Sequence, residues 1–193
     1  MPRISIVIPV WGTYKKYLPD CLASVEAQTY KDFEVIVVEN KTDLPSARNE
    51  GIRMAKGEYI MPLDVDDELR EDYLEKTVDK GDIVTTAHFG CGRRHEIPTS
   101  EVNIIDMKRG NVVIACSLFK KKVWEDVGGY DESLKDGYED WDFWLSAMLK
   151  GYKIEVVNEP LYHYKKRRDS MVNTMNRKKA EEYIINKHKE YGL

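Results

Sequence analysis

Three carboxylates directly follow an apolar segment at residues 58–63. They are Asp64, Asp66 and Asp67. Carboxylates this close repel one another unless a cation or hydrogen-bond donors compensate their charge. Open α/β sheets bind ligands at the carboxyl ends of their strands, so the pattern favours a divalent metal held by Asp64 and Asp66. The alternative is a solvated turn in which aspartates accept bonds from nearby amides, whereas an EF-hand is disfavoured because its sixth position would be Leu69.

A second acidic group begins the helix predicted at residues 139–149. Asp140 and Trp144 are four residues apart and share a helical face, while Asp142 is turned away from them. Asp140 is a candidate general base, but Glu139 and Asp140 are also residues that favour the positive end of any helix. The helix dipole lowers the pKa of a carboxyl group, so burial or nearby carboxylates must offset it if Asp140 acts as a base.

The elements that position these residues follow from the apolar pattern. Strands are expected at residues 4–10, 33–38, 58–63, 82–87, 153–157 and 161–164. Helices are expected at residues 13–28, 45–55, 69–78, 119–127, 139–149 and 180–189. Loop or short edge strands are expected at residues 89–98. The alternation of strands and helices predicts an α/β fold, a single domain with a mostly parallel central sheet flanked by helices.

Composition limits the classes of function. A chain of 193 residues suits one domain, and 30 Lys and Arg against 34 Asp and Glu give no support for nucleic-acid binding. Three scattered cysteines fit neither a zinc site nor a disulfide framework and favour a reducing compartment. Neither a signal peptide nor a membrane-spanning segment is expected. We therefore predict a cytoplasmic protein, with any membrane contact peripheral, at the inner face, through the basic residues 165–168.

A series of short motifs then runs along the chain, at residues 4–10, 17–18, 21–24, 28–34, 47–49, 55–60, 63–67, 127–132 and 139–144. In sequence and order these motifs resemble family 2 glycosyltransferases of the GT-A fold, and the likeness covers about residues 3–170. The resemblance implies an inverting transfer of sugar from a nucleotide-diphosphate donor, a UDP-sugar by default. It also implies a Mn²⁺ or Mg²⁺ cofactor and a glycan, lipid-linked or protein-linked acceptor.

The resemblance also divides the single domain of residues 1–193 into parts. About residues 1–67 would bind the nucleotide, about 82–170 would serve the acceptor and catalysis, and about 174–193 would form a terminal helix. The chain length and the motifs leave a homodimer open.

Roles for individual residues follow from the resemblance. Pro9, Val10 and Glu39 lie at predicted strand ends and would form the pocket for base and ribose. Arg48 matches the family's Ala-Arg-Asn element and would contact the base or the diphosphate. The alternative is that Arg48 is a solvent-exposed arginine on a helix. Asp67 would brace the acidic loop or cap the following helix.

The resemblance places the chemistry on the two acidic groups. Asp64 and Asp66 match a DxD motif, in which Asp64 would face the ribose or the metal and Asp66 would bind the metal. Glu139 and Asp140 match the family's acidic pair, with Asp140 as general base. Arg167 aligns with a late His that reaches the metal or diphosphate in relatives, so it would grip the diphosphate directly. A solvated basic loop is the alternative for Arg167.

Two other classes of function stay open at this stage. A nucleotidyltransferase also binds nucleotides with acidic metal ligands, but it calls for a Gly-rich phosphate loop after the first strand. Residues 11–14 supply one glycine, Gly12. A non-catalytic module that binds nucleotides or glycans is the other class, and the presence of both acidic groups disfavours it.

Overall fold

A computed structural model describes residues 1–39, 43–90, 93–95, 101–167 and 175–191. The strands are β1 (Ile4–Val10), β2 (Phe33–Glu39), β3 (Tyr59–Pro62), β4 (Glu68–Leu69), β5 (Ile83–Gly90), β6 (Arg93–His95), β7 (Leu118–Lys120) and β8 (Ile154–Tyr164). The helices are α1 (Leu18–Glu26), α2 (Leu44–Met54), α3 (Tyr73–Thr77), α4 (Ile104–Arg109), α5 (Lys121–Val127), α6 (Glu139–Leu149) and α7 (Arg177–His188). Short 3₁₀ helices lie at Gly12–Tyr17 and Lys189–Tyr191.

The strands form one sheet in the order β2-β1-β3-β7-β5-β8-β4, with β6 paired to β5. The long ladders are parallel: β1 pairs with β2 and β3, and β5 pairs with β8. β7 lies antiparallel between β3 and β5, so β5 and β8 point in the same direction as β1, β2 and β3. The prediction of an α/β fold with a mostly parallel sheet is confirmed.

Apolar side chains pack on both faces of the sheet. Successive residues of β1 point to opposite faces, so Val7 belongs to one core cluster and Ile6 and Ile8 to the other. The Val7 face is covered by α2, α5 and α6, and the opposite face by α1 and α3. A Cβ at Gly51 of α2 would lie 2.4 Å from Cγ1 of Val7, so glycine is required for α2 to approach β1 this closely. This packing holds α2, which carries Arg48, against the sheet.

Several predicted elements differ from the structure. The helix predicted at residues 69–78 is instead the short strand β4 followed by the five-residue α3. The helix predicted at residues 119–127 begins at Lys121, because residues 118–120 form β7. Strands predicted separately at residues 153–157 and 161–164 are one strand, β8, whose register with β5 shifts near Pro160. A proline in a ladder removes a donor and is typical of such irregularities.

The helix ends differ for local reasons. The first predicted helix, at residues 13–28, is a 3₁₀ helix followed by α1, which begins at Leu18 with a proline in its first turn. The terminal helix starts earlier than predicted because Asn176 caps it, accepting a bond from the Lys179 amide at 3.2 Å. The short edge strands allowed for at residues 89–98 are confirmed as the end of β5 and β6, and residues 91–92 and 96–98 lie outside the described residues.

Candidate active site

The carboxyl ends of β1, β3 and β8 lie at one edge of the sheet, which brings distant predicted site residues together. Pro9 and Val10 end β1 with buried side chains, and Val10 is paired in register with Glu39 at the end of β2. Glu39 is exposed, and its Oε1 lies 2.6 Å from the Lys15 ammonium. Open α/β sheets bind ligands at such an edge.

Arg48 joins the two acidic groups that the sequence singled out. Its side chain is 1% exposed. Nη2 lies 2.7 Å from Oδ1 of Asp64, and Nη1 donates to Oε1 of Glu139, which is also buried. α2 begins one turn before Arg48, where the Asp43 side chain accepts a bond from the Ser46 amide at 2.9 Å. The alternative of a solvent-exposed helix arginine is therefore wrong.

Asp66 and Arg167 meet on the other side of the acidic loop. Nε of Arg167 lies 3.8 Å from Oδ2 of Asp66, and Nη2 is 3.4 Å from the Asp66 carbonyl oxygen. The guanidinium also lies over the Tyr17 ring, with Cζ 4.1 Å from the centroid, a cation–π contact. The alternative of a solvated basic loop does not describe Arg167, since it packs against the acidic loop.

Asp67 ties the acidic loop to β8. It is buried and accepts bonds from the Tyr162 hydroxyl and, at 2.7 Å, from the Lys165 backbone amide. Burial raises the pKa of Asp67 to about 8, and the nearby charge of Asp64 adds to this. These bonds confirm that Asp67 braces the loop.

The described residues contain one group of three side chains close enough to share an ion. One ligand atom each of Asp64, Asp67 and Cys116 lies within 4.8 Å of the others, and Asp66, the predicted second ligand, is not a member of this group. Burial raises the pKa of the Cys116 thiol well above its usual range, and Sγ lies 3.4 Å from the Asp64 backbone nitrogen. A protonated thiol is a poor ligand for hard cations, so the partly exposed carboxylate of Asp64 is the member of this group that fits Mn²⁺ or Mg²⁺.

Asp140 lies at the start of α6, beside the buried Glu139. Its Oδ1 accepts a bond from the Trp141 amide and its Oδ2 one from the Asn111 side chain, both at 2.8 Å. Burial raises the pKa of Asp140; the positive charge of Arg48 opposes this rise. The net direction is the one that a general base needs. The sequence pattern missed Asn111, which lies in the loop between α4 and β7.

Asp142 has a different role on the opposite face of α6. It is buried and lies 2.8 Å from the Lys187 ammonium and 2.8 Å from Nε2 of His188. Lys187 also contacts Asp131 at 2.7 Å. These contacts fasten α7 behind α6, so Asp142 is structural, in agreement with the prediction that it turns away from Asp140.

The family model described as Glycosyl transferase family 2 matches residues 5–44 and 39–103, just over half of the chain. The chain belongs to glycosyl transferase family 2. Membership confirms the predictions of a GT-A fold and of an enzyme of the glycosyltransferase class, with the class of sugar left open.

Two curated glycosyltransferases show the extent of the similarity to this family 2 glycosyltransferase. An uncharacterized glycosyltransferase of Methanocaldococcus jannaschii is 24% identical over 226 residues, covering 94% of the chain and 77% of the relative. The poly(ribitol-phosphate) beta-glucosyltransferase of Bacillus spizizenii is 28% identical over 209 residues, covering 86% of the chain and 33% of the relative.

Solved structures share the fold at low sequence identity. Residues 1–349 of S. aureus TarS in complex with UDP-GlcNAc match with a TM-score of 0.73 and 17% identity, over 90% of this chain and 61% of that one. The mannosyltransferase PcManGT from Pyrobaculum calidifontis, in complex with GDP-Man and Mn²⁺, matches with a TM-score of 0.67 and 15% identity. There the match covers 90% of this chain and 59% of the mannosyltransferase. The chain thus spans about three fifths of these solved structures.

In this glycosyltransferase Asn49, next to Arg48, holds the loop after α5. Its Oδ1 accepts bonds from Nε1 of Trp124 and the Tyr130 amide, both at 2.9 Å, and its Nδ2 donates to the Tyr130 carbonyl oxygen at 2.9 Å. Gly129 has φ +89°, and a Cβ there would lie 2.9 Å from Oδ1 of Asn49. The backbone of the Gly-Gly-Tyr motif therefore fits closely around the Asn49 side chain.

A cavity of about 570 Å³ lies at the edge of the sheet opposite to the acidic groups of the candidate site. Its charged lining is largely paired within the protein, for example Arg3 with Glu58 and Lys120 with Asp82. We assign the site to the carboxyl edge, because the acidic groups and Arg167 converge there. Within the described residues, each helix is too short or too polar to cross a bilayer.

Proposed function

We propose that the chain transfers a sugar from a nucleotide-diphosphate donor, a UDP-sugar by default, to a glycan, lipid-linked or protein-linked acceptor. The observation that carries this proposal is the position of Asp140. It is a partly buried carboxylate of raised pKa on the helix that Glu139 and Arg48 connect to Asp64. The Arg48 guanidinium thus connects the start of the helix that carries Asp140 to the acidic loop at the end of β3.

The donor would lie along the carboxyl edge of the sheet. Pro9, Val10 and Glu39 end adjacent strands there and are proposed to border the base and ribose. Arg167 already faces the acidic loop, and its guanidinium suits a bidentate bond to a diphosphate. The solved structures with UDP-GlcNAc and with GDP-Man and Mn²⁺ support a nucleotide-sugar as ligand.

Asp64 and Asp66 are the proposed ligands of Mn²⁺ or Mg²⁺. Both carboxylates lie on the loop after β3, and oxygen ligands suit these hard cations. A bound divalent cation would supply charge that stabilises a departing diphosphate. Asp67 is already engaged with Tyr162 and Lys165, so its proposed part is to hold the loop.

Asp140 would act on the acceptor hydroxyl. The hydroxyl oxygen attacks the anomeric carbon, Asp140 takes the hydroxyl proton, and the bond from the anomeric carbon to the diphosphate oxygen breaks. The leaving oxygen keeps the electron pair, and a single displacement inverts the anomeric centre. Family membership disfavours the nucleotidyltransferase alternative. The cytoplasmic location, peripheral membrane contact, a homodimer and the division of the domain into parts stay predictions.

The test is nucleoside diphosphate release from a panel of UDP-, GDP-, CDP- and dTDP-sugars with Mn²⁺, before and after chelation. One donor is expected to be turned over in a metal-dependent way, and its nucleoside diphosphate with Mn²⁺ should raise the melting temperature. Asp66→Asn should weaken both effects, whereas Asp20→Asn, an exposed aspartate of α1, should leave them unchanged. The absence of turnover and of any thermal shift across the panel would refute the proposal.

A further inference from the structure

Arg48 is a charged side chain that touches both halves of the proposed site. It contacts Asp64, 16 residues along the chain, and Glu139, 91 residues along the chain. Its Nε is buried and has no partner within the described residues, and its Cζ lies 5.5 Å from the centroid of the Tyr130 ring. The guanidinium is thus enclosed by protein groups, since both Nη atoms are bound to carboxylates and one face meets an aromatic ring.

The two carboxylates on Arg48 are neighbours of the groups proposed to do the chemistry. Asp64 precedes Asp66 on the acidic loop, and Glu139 precedes Asp140 at the start of α6. Glu139 is 4% exposed, which leaves little surface for a substrate. Arg48 bonds Oδ1 of Asp64, so the second oxygen of that carboxylate can face the donor side.

We propose that Arg48 is a positioning residue that sets the separation between the acidic loop and Asp140, and that it does so without contacting the donor. Glu139 is then the anchor of α6 rather than a reacting group. This inference rests on the proposed function of Asp64 and Asp140. The planar fork of arginine bonds two carboxylates in fixed directions, which the single ammonium of lysine cannot reproduce.

The energetic cost of an unpaired buried charge favours this arrangement. A buried carboxylate without a partner is strongly disfavoured, so Glu139 keeps Arg48 in place and Arg48 keeps α6 in place. Next along α2, Asn49 bonds the loop that leads to α6 through Tyr130. Two successive residues of α2 therefore bond the start of α6 and the loop that leads to it.

The primary test compares Arg48→Lys with Arg53→Lys, the same substitution on the same helix. Arg53 is 60% exposed and pairs with Glu132 at 3.6 Å, so its change is expected to leave kinetics unchanged. A displacement of about 1 Å can cost about 100-fold in rate. Arg48→Lys should therefore lower kcat by about 10- to 100-fold, while the Kd of the nucleoside diphosphate with Mn²⁺ changes by less than about threefold. A Kd raised tenfold or more would assign Arg48 to donor binding and overturn the proposal.

A double-mutant cycle tests whether Arg48 acts through Glu139. Combining Arg48→Lys with Glu139→Gln should lower kcat no more than the more damaging single change, because both disturb one connection. Losses that multiply would overturn the proposal. If Arg48→Lys does not fold, Glu139→Gln serves as the test by itself. It should likewise lower kcat while leaving the Kd of the nucleoside diphosphate with Mn²⁺ nearly unchanged.

Hydrogen exchange separates this inference from the proposed function, since it needs no sugar donor. Arg48→Lys should speed amide exchange at residues 139–142 by at least about tenfold relative to Arg53→Lys, because the start of α6 loses its anchor. Unchanged exchange there would overturn the positioning role. A wild-type chain that releases no nucleoside diphosphate would refute the proposed function and leave the exchange result to decide the role of Arg48.

Discussion

Replacing Asp140 with asparagine removes the proposed base while keeping the shape of the side chain. The Oδ1 bond from the Trp141 amide, 2.8 Å long, can persist with an amide oxygen. General base catalysis contributes about 10²- to 10⁴-fold to rate, so kcat should fall within that range. A loss of about 10³ corresponds to about 4 kcal/mol of transition-state stabilisation.

The same change should not destabilise the protein. Burial raises the pKa of Asp140, which means that the folded state disfavours its ionised form. A neutral asparagine removes that unfavourable charge, so the melting temperature should stay the same or rise. Loss of activity without loss of stability distinguishes a reacting group from a structural one.

Asp142→Asn is the matched control on the same helix. Asp142 is buried, with Lys187 and His188 each at 2.8 Å, and a hydrogen bond to a charged group contributes about 1.5–3 kcal/mol. Each kcal/mol lost lowers the melting temperature of a domain this size by about 2–4 °C. The control should therefore melt several degrees lower while keeping kcat within about twofold.

Both variants are measured by nucleoside diphosphate release at saturating donor, and by calorimetric binding of the nucleoside diphosphate with Mn²⁺. Donor affinity should change by less than about threefold in Asp140→Asn, because the proposed base would contact the acceptor hydroxyl and not the donor. Turnover of Asp140→Asn within tenfold of the wild type would refute the assignment. An equal loss of kcat in Asp142→Asn would show that the helix, rather than the base, had been disturbed.

Three further predictions concern residues around the site. Asn111→Leu removes a donor to the carboxylate of Asp140, so the pKa of that base rises and the rising limb of the kcat–pH profile should move to higher pH. Asn49→Ala leaves buried partners unpaired in the loop after α5, and should lower the free energy of unfolding by about 1–3 kcal/mol in urea titrations. Burial by itself would raise the pKa of Asp131. Bonds from Lys187 and Ser133 outweigh that effect, so the pKa of Asp131 is lowered. That stabilisation is present above about pH 4 and is lost as the pH falls further, so Asp131→Asn should flatten the decline in melting temperature between about pH 4 and pH 2.

The long β-branched segments were enough to predict the first two strands, and the apolar segment at residues 58–63 was enough to predict the third. Ile4–Val10 and Phe33–Glu39 are buried or paired along their length, and their pattern is continuous in the sequence. β7 has three residues, too few for a period to appear, and its ladder partners β3 and β5 are distant in the chain. Its strand conformation is set by those neighbours, which explains why a helix was predicted to begin at residue 119.

The site residues that lie in short local motifs could be predicted from the sequence. The roles of site residues whose partners are distant in the chain could not. Asp64 and Asp140 each lie in short acidic motifs, and the structure brings both near Arg48. That Arg48 would be buried could not be read from α2, because its partner Glu139 is 91 residues away. Asn111 gave no signal for the same reason, since its contact with Asp140 spans 29 residues.

The three-residue strand β7 lies between the two parallel parts of the sheet. β7 pairs two of its residues with β3, Lys120 and Phe119, and two with β5, Phe119 and Leu118. The acidic loop leaves β3 on one side of β7 and leads into β4 on the other side, where β8 follows α6 in the chain. Within the sheet β7 is the strand that lies between the two sides, and the bonds from the buried Arg48 guanidinium to Asp64 and Glu139 add a second connection, between the acidic loop and α6.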